Sequence, residues 1–299
     1  MVIPTALFLA LISAQQAAPH PEVAFYVPER VYDTAAGAFV DFEVMLARLS
    51  KADVVFVGEQ HDDPNTHRLE AAILDGLHRR KVTPVLSLEM FERDAQPSLI
   101  NYLAGQIGEE EMLKTTRPWP RYATDYRRMV EMARERKWTV VAANVPRRLA
   151  ADVSKNGKEA IDQLSQADRA MVARELQCPP DDYFKRFTAS MSGHPAGTQT
   201  PEQQAAMVER FYWAQCVKDE TMAEAIAAAY EKKSAVGPVV HYNGAFHSDF
   251  GLGTAERVRR RLPGKKTMVV SMLPVDDLDT LAPAGEDLKR ADYLIYTVK

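Results

Sequence analysis

The chain has 299 residues, of which 46% are hydrophobic and 26% charged, and its formal net charge is -4. Such values describe an ordinary globular protein, long enough for one large domain or for a large and a smaller one. They exclude a broad basic footprint, so nucleic acid is not expected as a partner.

The N-terminal stretch MVIPTALFLALISAQQAAPHPE has an apolar core from Val2 to Ala14, too short to cross a bilayer comfortably. Small residues follow, with Ala14, Ala17 and Ala18 near a plausible cleavage point. Residues 1–20 therefore read as a secretory signal peptide, although no Lys or Arg precedes the apolar core. An exported protein, periplasmic or membrane-associated, is the expectation. No Cys follows the core in a lipobox, so a lipid anchor is not expected.

Beyond that segment, short β-branched runs alternate with amphipathic stretches, the pattern of an α/β fold. Asp53–Val57 (DVVFV) reads as a strand, and Asp63-Pro64 as a helix start, an N-cap with Pro in the first turn. Leu69, Ile73 and Leu77 give that helix an apolar face. Val82–Leu88 is the next strand, Tyr122–Arg136 a helix, and Thr139–Ala143 a third strand running through Asn144 into a further helix. From about Asn156 to Lys233 strands vanish. Leu164–Leu176 and Glu202–Glu231 have helical patterns, separated by a loop from Pro179 to Pro201. Pro238–Tyr242 is a strand again, followed by a helix over Thr254–Leu262, a strand over Thr267–Met272 and an edge strand over Tyr293–Val298. Arg257, Arg259, Arg260 and Arg261 read as a solvated helix face. Cys178 and Cys216 lie outside any CxxC pattern, and sequence alone does not decide whether they pair.

The strand runs show little polar alternation, as expected of a mostly parallel sheet covered by helices on both faces. The expected organisation is an α/β core over 21–155 and 236–299, with a smaller all-helical subdomain inserted over 156–235. In such sheets ligands lie beyond the carboxyl ends of the strands. Those ends carry Glu59 and His61, then Glu89 and Glu92, then Asn144 and Arg147, then Asn243 and His247. Each residue alone reads as surface or cap. Together, Glu59, His61, Glu89 and His247 form a candidate catalytic set. They could hold a divalent metal ion such as zinc, or act metal-free as a base that activates water. HExxH is absent.

At GEQH, SLEMFERDAQP and HYNGAFHSDFGLG the chain resembles the ChaN-like haem-binding proteins, within the Tiki, TraB and erythromycin-esterase superfamily. PWPRYATDYRRMVEMARERKWTVVAANVPRRLA and WAQCVKDETMAEAI, with Gln215 and Asp219, extend the likeness from about Val54 to Met272. The resemblance implies a parallel-sheet domain with a smaller helical one, and a cell-envelope protein of haem and iron uptake. It implies a haem receptor or transporter as partner, tyrosine ligation of haem, and two haems stacked within a homodimer. The superfamily's hydrolases use residues matching Glu59, His61, Glu89 and His247.

A haem needs an apolar face, an axial ligand and cations near its propionates. Tyr122 and Tyr126 lie beside Trp119, Arg121, Arg127 and Arg128. Tyr183 lies among Phe184, Lys185, Arg186 and Phe187, and Tyr212 lies between Phe211 and Trp213. These four tyrosines are the candidate haem ligands, with Asn144 and Arg147 as further binding residues and His194 as an alternative. A half-buried packing role competes with ligation for each tyrosine. Three functions stay open: haem binding without catalysis, an exported hydrolase using the strand-end set, and a partner-binding module that keeps that set as a relic.

Overall fold

A computed structural model describes residues 28–191, 200–233 and 236–299. The expected signal segment, residues 1–20, and His194 lie outside the described residues. Eight strands form one sheet: β1 (Glu29–Asp33), β2 (Ala38–Val40), β3 (Val54–Glu59), β4 (Val85–Glu92), β5 (Val140–Asn144), β6 (Val239–Gly244), β7 (Thr267–Val275) and β8 (Tyr293–Val298). The helices are α1 (Phe42–Leu49), α2 (Pro64–Arg79), α3 (Gln96–Leu103), α4 (Glu109–Thr116), α5 (Tyr122–Asp125), α6 (Arg127–Arg136), α7 (Arg147–Asn156), α8 (Gln166–Arg169), α9 (Asp182–Met191), α10 (Pro201–Lys232) and α11 (Gly253–Arg261). The sheet order is β2-β1-β8-β7-β3-β6-β4-β5. All pairings from β8 to β5 are parallel, and β1 runs antiparallel to β8 and β2.

This is the α/β fold read from the strand pattern, and its layers follow from side-chain alternation. Val55, Val57, Leu86, Leu88 and Val240 point to one face, where α1, α2, α3 and α6 supply Leu46, Leu74, Leu99 and Val130. Val54, Phe56, Val85, Val239 and Val269 point to the other, where α10 brings Ala223 and Ile226 and α11 brings Val258. Both faces being covered explains the continuous apolar runs. Asp63 caps α2 by accepting from the Asn65 N–H at 2.9 Å, with Pro64 in the first turn as expected.

Several expectations are corrected. The last strand is internal, not an edge: β8 lies between β7 and β1, and a short, partly polar β1–β2 hairpin takes the edge. The helix over Tyr122–Arg136 is two, because Tyr126 leaves the helical line at φ -114° and turns inward. Leu164–Leu176 holds one helical turn, α8, because the Arg169 guanidinium takes the carbonyls of Val172, Ala173 and Arg174 that a helix would have used. The loop from Pro179 contains α9. The arginine run is only in part a solvated face: Arg259 and Arg260 are exposed, but Arg257, Arg260 and Arg261 all pair with the buried Glu220 of α10, Arg260 and Arg261 at 2.5 Å. Three guanidinium groups compensate one carboxylate removed from water.

Cys178 and Cys216 form a disulfide, which fastens the segment leading into α9 onto α10 across 38 residues of sequence. Closing a loop of that length stabilises the folded chain by about 4 kcal/mol in the chain-entropy view. Replacing both cysteines by Ala should therefore lower the unfolding free energy by about that amount in denaturant titrations. Adding a thiol reductant should leave the variant's midpoint unchanged while lowering that of the wild type.

Candidate functional site

Parallel register sets the site. Glu59, the last residue of β3, is paired with Gly244, the last of β6. The Gly244 N–H donates to Glu89 Oε2 at 2.8 Å, so the ends of β3, β4 and β6 meet. His61 lies beside Gly244. A Cβ on that glycine would come within 2.6 Å of the His61 Nε2, so the bare backbone leaves the imidazole its place. His61 Nδ1 is 2.5 Å from Glu59 Oε1, and the Tyr126 hydroxyl donates to the same oxygen at 2.8 Å. His247 follows β6 in a short 3₁₀ turn, Ala245–His247. Its Nε2 is 3.3 Å from Glu89 Oε1 and its Nδ1 2.7 Å from Asp219 Oδ1. The four predicted residues Glu59, His61, Glu89 and His247 are thus brought together at one mouth. Glu59, Glu89 and His247 are buried, while the His61 side chain is 45% exposed with Trp119 edge-on to its ring.

No three of the four bring ligating atoms within 4.8 Å of one another. They form two acid–imidazole pairs instead. Burial would raise the Glu59 carboxyl, yet the hydrogen bond with His61 and the nearby His67 imidazole outweigh it and hold the group below its ordinary value. Burial likewise disfavours charge on His61, but Glu59 and Glu89 outweigh it and raise its pKa. Burial of His247 is overcome by the charges of Glu89 and Asp219, which lift its pKa to about 10. Glu89, also buried, is held down to about 2 by His247.

Sequence reasoning assigned no role to several residues the fold adds here. Asp219 of α10 orients His247 and accepts the Thr254 hydroxyl at 2.7 Å. Gln215, one turn earlier, has its side-chain nitrogen 3.1 Å from the Tyr183 hydroxyl and 3.3 Å from His247 Nδ1. His67 and Glu70 of α2 sit behind Glu59. The available signal was a charged or polar residue on the apolar side of a helix, as with Asp219 beside Val217 and Met222.

The predicted haem residues fare differently. Tyr122, Tyr126, Tyr183 and Tyr212 are all buried, at 4%, 2%, 1% and 3% exposure. Burial first, and neighbouring carboxylates for Tyr126, Tyr183 and Tyr212, push all four phenols above their ordinary value. Tyr126 is spent on Glu59, and the Tyr212 hydroxyl lies within 3.0 Å of the Pro179 carbonyl. Tyr183 also lines a cavity, but its hydroxyl is engaged by Gln215, and none of the four tyrosines is exposed to solvent. Asn144 closes its own strand end, its side-chain oxygen accepting from Val145 N–H at 2.9 Å. Arg147 pairs with Glu92 and donates to the Arg117 carbonyl, away from the quartet.

Beside the His247 turn, Tyr183, Phe246, Phe250 and Leu252 line a cavity of about 240 Å³ with Arg186 and Arg290. Arg186 lies over the Phe250 ring at 3.5 Å. Arg290 is held by Asp249 at 2.6 Å.

A family model described as haem-binding uptake, Tiki superfamily, ChaN matches residues 45–258. The chain belongs to the ChaN family. Among solved structures, a Campylobacter jejuni ChaN studied for cofacial haem binding is 19% identical. It aligns over 91% of this chain and 97% of its own, with a TM-score of 0.67, which shows the shared fold. An erythromycin esterase, EreC, is 13% identical over 87% of this chain and 80% of its own, at a TM-score of 0.44. A toxin effector domain from Vibrio vulnificus is 18% identical over 76% and 35%, at 0.41. Likenesses at that level carry no functional argument. No curated protein matches. In this ChaN-family member the acid–imidazole pairs are intact whereas the candidate phenols are occupied by packing.

The His247–Glu89 pair gives a pH signature. The raised His247 contributes stability that is complete below its ordinary 6.5 and fades as pH rises through about 10. The depressed Glu89 contributes stability that is complete above 4.5 and fades as pH falls toward about 2. The wild type's Tm advantage over a Glu89→Gln/His247→Gln double variant should be greatest between those two ordinary values. It should shrink on both sides; an advantage flat from acid to alkali would contradict the pair.

Proposed function

We propose that the protein binds haem in the cell envelope and serves haem or iron uptake, handing haem to or from a receptor or transporter of that envelope. The observation that carries the reading is family membership: the haem-binding uptake family covers 45–258. The cavity beside His247 offers ring faces for a macrocycle and, in Arg186 and Arg290, guanidinium groups that propionates could take over from Glu286 and Asp249, which also line it. At about 240 Å³ it is below the usual range for a whole small-molecule ligand, so it would seat an edge of the haem. The exposed remainder would then be covered by a second copy. That agrees with the cofacial haem arrangement described for the Campylobacter jejuni protein. On this reading the cavity, to which Tyr183 contributes a ring face, and not a tyrosine phenolate, is where haem is met. The disulfide favours an oxidising compartment, in keeping with export. Among the described residues no helix is long and apolar enough to cross a membrane.

Titrating purified protein with haem should give a saturable Soret change. Arg186→Ala should weaken it about tenfold, as expected for loss of one charge-assisted hydrogen bond. A linear change without saturation would overturn the reading.

A second reading, an exported hydrolase, is favoured by one observation: His61 is half exposed with Nδ1 fixed on Glu59 at 2.5 Å, the posture of a general base. On this reading an ester or peptide substrate is cleaved, and His61→Ala lowers the rate by about 100-fold or more. Turnover unaffected by His61→Ala would remove it.

A further inference from the structure

Glu59 divides its two oxygens between different neighbours. Oε1 serves Tyr126 and His61, whereas Oε2 makes no hydrogen bond and lies 3.3 Å from His67 Nδ1. Glu70 places its Oε2 3.1 Å from the same nitrogen, and its Oε1 also makes no hydrogen bond. Both carboxylates are inaccessible to water, and the His67 side chain is 3% exposed. On the far side of that ring, Nε2 is 3.2 Å from the His61 carbonyl oxygen and 3.4 Å from Asp125 Oδ2. A carbonyl oxygen only accepts, so Nε2 carries the hydrogen. Nδ1 therefore turns either a second proton or a lone pair toward two carboxylate oxygens. A single N–H would have to be shared between them and would still leave Glu70 Oε1 without a partner. A lone pair there is compensated either by a proton on one carboxyl or by a cation.

We propose that Glu59, His67 and Glu70 form a buried site for one divalent first-row metal ion such as zinc. It shares Glu59 with the strand-end group but uses neither His61 nor His247. Three observations converge on it. The ligating atoms of the three residues all lie within 4.8 Å of one another. The two nitrogen–oxygen separations of 3.1 and 3.3 Å approach the edge of a zinc tetrahedron, which is about 3.4 Å for ligands about 2.1 Å from the ion. The charges balance as well, since two carboxylates and a neutral imidazole offset a divalent cation where an isolated anion is costly. The outer contacts are those of a metal-ligating histidine, with Nε2–H fixed by a carbonyl and a carboxylate, and Glu59 itself held by Tyr126.

The inference is independent of the haem reading, because metal retention and haem titration can fail separately. Full-length protein is stripped with EDTA, incubated with excess zinc chloride, desalted and assayed for zinc by mass spectrometry. About one ion per chain is expected, with a raised Tm. Glu70→Gln, a near-isosteric change, should reduce affinity by more than about tenfold, the least that loss of even a supporting group costs such sites. His247→Gln should retain the ion. Zinc retained equally by Glu70→Gln, or retained no better by the wild type than by Glu70→Gln, would overturn the site. So would cobalt(II) added to stripped wild type without the visible bands of a tetrahedral nitrogen–oxygen complex, a readout that needs no variant to fold.

Discussion

Glu59 ends a strand whose two faces are both covered, and its carboxylate has no route to water. Everything around it answers that constraint. Tyr126 leaves its helix to reach one oxygen, His61 is anchored to that same oxygen, and His67 with Glu70 packs behind the other. Gly244, in register with Glu59, has no side chain and so gives the His61 ring its room. One buried anion thus ties β3, β6, α2 and the α5–α6 turn into a common structure.

The same logic recurs along the molecule. Asp219 is buried beside His247, and Glu220 is surrounded by three arginines of α11. Each is a charge on the inward side of a long helix, neutralised by groups from another element. α10 carries both, and through them it fixes the His247 turn from one side and α11 from the other. Helix α10 is therefore a wall of the site as well as a cover for the sheet.

Much of this was legible in the sequence. Apolar runs without alternation announced a sheet covered on both sides, and polar residues directly after those runs announced the mouth where Glu59, His61, Glu89 and His247 meet. What was illegible follows from tertiary pairing. Asp219, His67 and Glu70 sit inside helical patterns where a charged residue ordinarily means solvent. The arginines of α11 looked solvated for the same reason, since Glu220 lies far away in sequence. The β1–β2 hairpin is too short and too polar to stand out, and the break at Tyr126 is set by what its hydroxyl reaches. The tyrosines stand out in sequence by their aromatic and basic neighbours; in the fold those neighbours pack around them and shut the phenols in.

The bond between Cys178 and Cys216 makes a closed covalent ring of the chain that contains the whole of α9 and the first half of α10. A single backbone cut within that ring would leave one molecule, not two. The aromatic wall around Tyr183 would stay tethered to the helix bearing Asp219 even after a protease had severed the peptide between them.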